Sequence, residues 1–242
     1  FTWSTDLTFS TYNDRWKERD PNWKPAAYQK EQDPIRGVFA YVADGLLQPG
    51  EEAPAPQPQL LPGQVKLKNI NGDDKLNEED MVLIGRNDPK FIFGFNNNFS
   101  YKNFDLNIYM YGQVGKIAGA NSYYDAWGSY GNRIKLGQNV PVSFKDAWSS
   151  DNQTSTRPSF IESAYGTGDL FLQKISFLRI RNITLGYTVP ISKSICNRLR
   201  VYADVNNPCV WTNWKGQDPE TDSNTNAYPN VTSFSIGVDI SF

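Results

Sequence analysis

The chain has 242 residues, a formal net charge of −2, 14% aromatic and 39% hydrophobic residues, and a mean hydropathy of −0.57. No basic excess points to nucleic acid, and no run approaches about 18 apolar residues, which excludes a membrane-spanning helix but not a β-barrel. Histidine is absent, which removes Ser-His-Asp and Cys-His catalysis and most zinc chemistry.

Period-2 alternation begins at the first residue. Phe1, Trp3, Leu7 and Phe9 alternate with Thr2, Ser4, Asp6 and Thr8, so the chain is expected to open inside a strand and to be the C-terminal part of something longer. A weaker candidate, "GVFAYVADGL", follows at 37–46. "KFIFGFNNNFSY" sets Phe91, Phe93, Phe95, Phe99 and Tyr101 on one face, and after Lys102-Asn103, "FDLNIYMYG" sets Phe104, Leu106, Ile108 and Met110 on one face. That spacing predicts a hairpin with a two-residue turn. Ile183, Leu185, Tyr187 and Val189 mark the next strand, then Leu199, Val201, Ala203 and Val205. The closing "TSFSIGVDISF" sets Phe234, Ile236, Val238, Ile240 and Phe242 against small and polar residues, which makes about seven strands and no long helix. Cys196 and Cys209, placed on one extended strand, would stand roughly 40 Å apart and remain unpaired thiols.

The connections are asymmetric. The turn 102–103 and the stretch 191–197 are short, whereas 47–88, 112–173 and 207–231 are long and rich in Asn, Asp, Gly, Pro and aromatics. Alternation alone does not separate a soluble β-sandwich from a barrel. Long loops at one end, strands of about ten residues or more, and aromatics at strand ends (Trp3, Tyr101, Tyr187, Trp211, Trp214) favour an outer-membrane barrel. The connection 14–36 would then lie on the short-turn side, where its length fits poorly.

Within the first long loop, "NINGDDKLNEED" places Asn69, Asn71, Asp73, Lys75 (through its carbonyl), Asn77 and Asp80 at the six ligand positions of a calcium loop. Asn69 stands where Asp is usual and Asp74 where Gly is usual. The other reading is an Asn/Asp-rich turn whose side chains hold their own backbone. Tyr123, Tyr124, Trp127, Tyr130 and Trp148 in the loop 112–173 are candidate ligand-stacking residues, or equally the loop's own small core. Carboxylate pairs such as Asp218 with Glu220 or Asp222 lie in a polar turn with nothing apolar nearby to raise a pKa. No enzyme is therefore expected.

Taken in order, "NINGDDKLNEED", "IGRNDPKFIFGFNNNFSYKNFDLNIYMYG", "SFLRIRNITLGYTVP", "LRVYADVNN", "WKGQDPE" and a terminal Phe make the chain resemble the C-terminal portion of the SusC/RagA-type TonB-dependent outer-membrane transporters of Bacteroidetes. The resemblance implies an all-β fold in which residues 1–242 are the C-terminal part of a 22-stranded antiparallel transmembrane barrel. Its loops 47–88, 112–173 and 207–231 would be extracellular, and the plug domain would lie outside these residues. It also implies TonB-dependent import of an oligosaccharide or oligopeptide across the outer membrane. The implied partners are a SusD-like surface lipoprotein, TonB through the absent N-terminal region, the lipid bilayer, and the barrel assembly machinery, which would read Phe242 as a signal. Calcium in the 69–80 loop is the one cofactor expected. A reading from another class is a secreted, calcium-stabilised β-domain that binds glycans.

Overall fold

The computed structural model describes residues 1–119, 136–137, 139–140, 142–161, 163–191, 196–216, 218–221 and 228–242. The described residues form ten strands: β1 (Thr2–Ser10), β2 (Gly37–Ala40), β3 (Ala43–Leu46), β4 (Val65–Leu67), β5 (Val82–Arg86), β6 (Phe91–Tyr101), β7 (Phe104–Gly119), β8 (Leu172–Val189), β9 (Arg198–Thr212) and β10 (Ser233–Ser241). Six of them form one antiparallel meander in the order β1-β6-β7-β8-β9-β10. Lys102 at φ 54 closes the β6–β7 hairpin, the positive φ that a primed two-residue turn asks of its first central residue.

The weak candidate at 37–46 is not a strand of this sheet. It breaks into β2, which pairs β5, and β3, which pairs β4. The physical reason is length: four-residue pieces interrupted at Tyr41-Val42 cannot span the main sheet, so they close small local ladders. The whole stretch 11–90 is thus a single insertion between β1 and β6, and the poorly fitting connection 14–36 disappears. The register places the strand ends joined by the β1–β6, β7–β8 and β9–β10 connections at one end of the sheet, and those joined by the β6–β7 and β8–β9 connections at the other. Two expected loop boundaries also move: 112–119 belongs to β7 and 207–212 to β9.

Cross-strand register sorts the side chains. One row runs Trp3, Phe99, Leu106, Leu185, Ala203, Ile236; another runs Thr5, Asn97, Ile108, Ile183, Val205, Phe234; a third runs Leu7, Phe95, Met110, Ile180, Cys209. All three lie on one face. The opposite face carries Ser4, Asn98, Asn107, Thr184, Asp204 and Ser235 in one row.

The apolar face is bare. Phe234 is 77% exposed and Ile236 84%. Apart from Cys196 on the short-connection side, the buried hydrophobic side chains among the described residues lie at the loop end. Ala118, Phe144, Ala147, Ile175 and Trp214 form one cluster, and Leu46, Val65 and Leu67 form another with Leu76, Trp148 and Tyr165 against it. Trp214, expected among the strand-end aromatics, belongs to the first cluster. The loops are stitched together by backbone bonds from Ser159 N to Gly63 O (2.8 Å) and from Asp169 N to Tyr41 O (2.9 Å). A soluble sandwich would bury one sheet face against a second layer; here, among the described residues, the clusters are built from the loops and the loop-side ends of β7 and β8. Cys196 and Cys209 are unpaired thiols.

Candidate functional site: a polar wall and its folded loops

On the polar face, short amide and carboxylate side chains at neighbouring registers bond to one another. Asn107 Nδ2 donates to Asn98 Oδ1 (2.7 Å) and Asn96 Oδ1 (2.8 Å), and Asn182 Nδ2 to Asp204 Oδ1 (2.5 Å) and Asn206 Oδ1 (3.1 Å). Thr184 Oγ1 donates to Asp204 Oδ1 (2.6 Å). Near the short-turn end, Arg200 reaches Asp105 (2.5 Å) and Asp239 (3.1 Å). The contact to Asp105 crosses the whole width of β8. It is possible because Gly186 stands opposite Asp105, and a Cβ there would lie 2.4 Å from Arg200 Nη2. The result is a wall of fixed, mutually satisfied polar groups with no nucleophile–base pair on it.

At the loop end of this face, Arg179 of β8 is buried with two carboxylates. Its Nη2 donates to both oxygens of Asp218 (2.8 and 2.9 Å), and its Nε lies 2.7 Å from Glu220 Oε2. Tyr111 Oη donates to Glu220 Oε1. The backbone N–H groups of Glu220 (2.9 Å) and Asn230 (3.2 Å) donate to Asp218, and Asn230 Nδ2 donates to Glu220 Oε2 (2.8 Å). Burial pushes the Glu220 carboxyl up, against the adjacent guanidinium, which favours its charged form. Asp218 and Glu220 are therefore not in an open polar turn, as the sequence implied; the loop folds back onto the sheet and buries them. Both are consumed in holding Arg179, and Asp222 lies outside the described residues. Arg179 was the residue sequence reasoning missed. By the parity of Ile183 to Val189 it would fall on the apolar face, and only the bulge between Ile180 and Asn182 turns it to the polar side.

In the 69–80 loop all the expected positions are described. Asn69 Oδ1 accepts from Gly72 N (2.6 Å), Asn71 Oδ1 from Asp73 N (3.1 Å), Asp73 Oδ1 from Lys75 N (3.0 Å) and Asn77 Oδ1 from Glu79 N (2.7 Å). Asp74 takes φ 60, the left-handed conformation expected of the glycine position. Asp80 is fully buried and accepts from Ile70 N (2.7 Å) and Asn77 N (3.0 Å). Residues 69–80 thus form an Asn/Asp-rich turn whose side chains hold their own backbone. Two carboxylates and several neutral oxygens are a donor set suited to a weakly held hard cation. Among the described residues, no group of three or more acidic, Cys or His side chains stands close enough to hold a metal. Burial, with Asp80 and Glu78 adding, pushes the nearby Tyr41 phenol up. Asp80→Ala should cost about 2–4 kcal/mol, because two loop amides lose their only acceptor, and Asp80→Asn should recover part of it. Thermal unfolding and protease nicking within 69–80 are the readouts; unchanged melting in the Ala variant would contradict the role given to Asp80.

Of the candidate stacking residues, Trp148 is described and half-buried. Its ring lies over Gly63, where an added Cβ would fall 2.2 Å from Trp148 Cε3, and its Nε1 donates to Gln48 Oε1 (3.3 Å). It packs in the loops' own core. Tyr123, Tyr124, Trp127 and Tyr130 lie outside the described residues. Phe242 is 89% exposed beyond the end of β10.

No family model matches the chain. TonB-dependent receptor P3 of Formosa agariphila is 26% identical across 100% of this chain, which covers 27% of that protein. TonB-dependent receptor SusC of Bacteroides thetaiotaomicron is 27% identical over 71% of this chain and 17% of its own length. Among solved structures, the RagAB peptide transporter superposes over 99% of this chain with a TM-score of 0.72 at 20% identity, and 27% of that chain is covered. Its "open-open" state gives a TM-score of 0.66. In sequence and fold the chain is similar to part of the SusC/RagA-type TonB-dependent receptors. The meander has the fold of a wall segment of that transporter's antiparallel β-barrel. The chain spans about a quarter (27%) of P3's length. Its relatives are transporters or receptors, not enzymes, in keeping with a lumenal wall whose polar groups bond to one another.

Proposed function

We propose that the chain forms part of an outer-membrane importer that takes up a large nutrient, an oligosaccharide or an oligopeptide, with energy supplied through TonB. A SusD-like surface lipoprotein would cover its extracellular side. The observation that carries this reading is the exposed apolar face of a sheet whose buried hydrophobic clusters, among the described residues, lie in the loops and the loop-side ends of β7 and β8. Such a face is stable against lipid and a liability in water. Relatives named as SusC and as a peptide transporter support import at family level, and the two substrate classes are both represented in the reading.

In this reading the lumenal Asn, Asp and Thr side chains present a wetted, hydrogen-bonding wall along which a ligand moves without covalent change. The stitched loops 11–90 and 142–170 form a rigid extracellular rim against which a surface lipoprotein would close. Phe242, bare at the end of a clean alternating strand, serves as the assembly signal. Calcium would sit in the 69–80 loop through Asn69, Asn71, Asp73, Asn77, Asp80 and the Lys75 carbonyl, bracing the rim.

An epitope tag on the complete gene tests the reading in its host. The protein should fractionate with the outer membrane, require detergent, and co-purify with a surface lipoprotein, and its deletion should abolish growth on one oligomeric nutrient. Recovery in the aqueous supernatant would overturn it in favour of a secreted glycan-binding domain. For the metal, chelator should lower the melting temperature, and that drop should vanish in Asp80→Ala; no chelator effect would leave only a loop shape.

A further inference from the structure

The apolar belt ends abruptly at its loop side. From Tyr101 to Phe91 along β6, at about 3.4 Å per residue and a strand tilt near 40°, the belt rises roughly 26 Å, close to the ~25 Å apolar band of an outer-membrane barrel. Phe91 pairs with Val114, which pairs with Ser176. That row is the last before the headgroup level.

Lysines stand immediately beyond it. Lys90 precedes Phe91, and Lys174 stands two residues above Ser176 on the same face of β8. Both side chains converge over Gly115, the extra residue of a bulge in β7 at φ 85. A Cβ added there would lie 3.0 Å from Lys90 Cγ and 3.5 Å from Lys174 Cε. Lys174 also lines a cavity of about 410 Å³ with Lys215, Arg157, Thr156 and Asn213. Lys90, Lys174 and Lys215 are exposed. None of the three makes an ion pair among the described residues. Like charges brought together without a counter-charge cost free energy unless an anion joins them.

We propose that Lys90, Lys174 and Lys215 form a cationic rim that binds the phosphate of an anionic lipid headgroup at the outer edge of the apolar belt. The height of the rim selects a lipid over a soluble anion. A lipid with its chains against Phe91, Phe93 and Trp211 brings its phosphate to the level of the lysines, while a free phosphate gains nothing from the belt. The inference rests on the membrane reading given above, and it adds a partner that the reading does not supply.

The test uses the full-length receptor in detergent, titrated with a phosphorylated glycolipid, its dephosphorylated form, and inorganic phosphate, with bound lipid counted by native mass spectrometry. The phosphorylated lipid should bind and the dephosphorylated form should not. Affinity should fall about fivefold per lysine removed, hence roughly a hundredfold in a Lys90→Gln, Lys174→Gln, Lys215→Gln variant. The corresponding triple Arg variant should retain binding, which separates charge from folding. Equal binding by the Gln variant, or displacement by millimolar inorganic phosphate or by an acidic oligosaccharide, would overturn the proposal. A receptor found in the membrane fraction but indifferent to these substitutions fails this inference alone; one found in the aqueous fraction fails the transporter reading first.

Discussion

Arg179→Met should release the loop 213–232 from the barrel wall at a cost of about 3–5 kcal/mol, the range for removing one partner of a buried ion pair. The guanidinium is buried, always charged, and shared between Asp218 and Glu220. Without it, two carboxylates and the hydroxyl of Tyr111 are left around a site that no longer has a cation. Protease cleavage within 213–232 of the assembled receptor is the direct readout, with thermal unfolding beside it. The triple variant Arg179→Met, Asp218→Asn, Glu220→Gln should recover most of the loss, because the charges that made the single change costly are gone. If the single variant is no more susceptible than the parent, the cluster does not hold the loop.

Ile183→Arg gives the second large effect, and it reads the environment of the apolar face. Ile183 lies in the row Thr5, Asn97, Ile108, Ile183, Val205, Phe234, near the middle of the belt. In a bilayer an arginine there should cost about 2–4 kcal/mol, and the receptor should accumulate unassembled in the periplasm. On a water-facing sheet the same change should stay within about 0.5 kcal/mol. Thr184→Arg, one residue along and facing the lumen, is the matched control. It disturbs the bonds to Asp204 and Asn182 but places its charge in water. Equal behaviour of the two variants would remove the inside–outside distinction on which the transporter reading stands.

How much of this was legible beforehand depends on the range of the interaction. Alternation is a property of the strand backbone itself, whose side chains change face at every residue. Phe234, Ile236, Val238 and Ile240 therefore declared their common face without any partner strand, and so did Phe91 to Tyr101. The hairpin at Lys102-Asn103 was likewise local. The break of 37–46 into β2 and β3 was hidden, because strand existence there depends on which distant segment supplies the partner, β5 or β4. Strand ends were equally hidden: β7 continues to Gly119 because β8 is long enough to pair it.

The Asn/Asp-rich turn at 69–80 was readable from spacing, since each side chain holds an amide two or three residues away. The Arg179 cluster was not, because its members are separated by 39 residues along the chain. A sequence of polar residues such as "KGQDPETDSNTN" looks the same whether it is solvated or folded onto a buried cation. The convergence of Lys90 and Lys174 over Gly115 is of the same kind, a consequence of the β7 bulge and the register with β8.

By itself, then, the sequence determined an all-β chain with two-faced strands, long loops and short turns, because these follow from backbone periodicity and turn chemistry within a few residues. Only the tertiary structure decided that the hydrophobic clusters lie at the loop end and that the sheet's apolar face carries no second layer among the described residues. Burial is settled by what packs from elsewhere in the chain, and alternation is identical whether an apolar face meets a core or lipid.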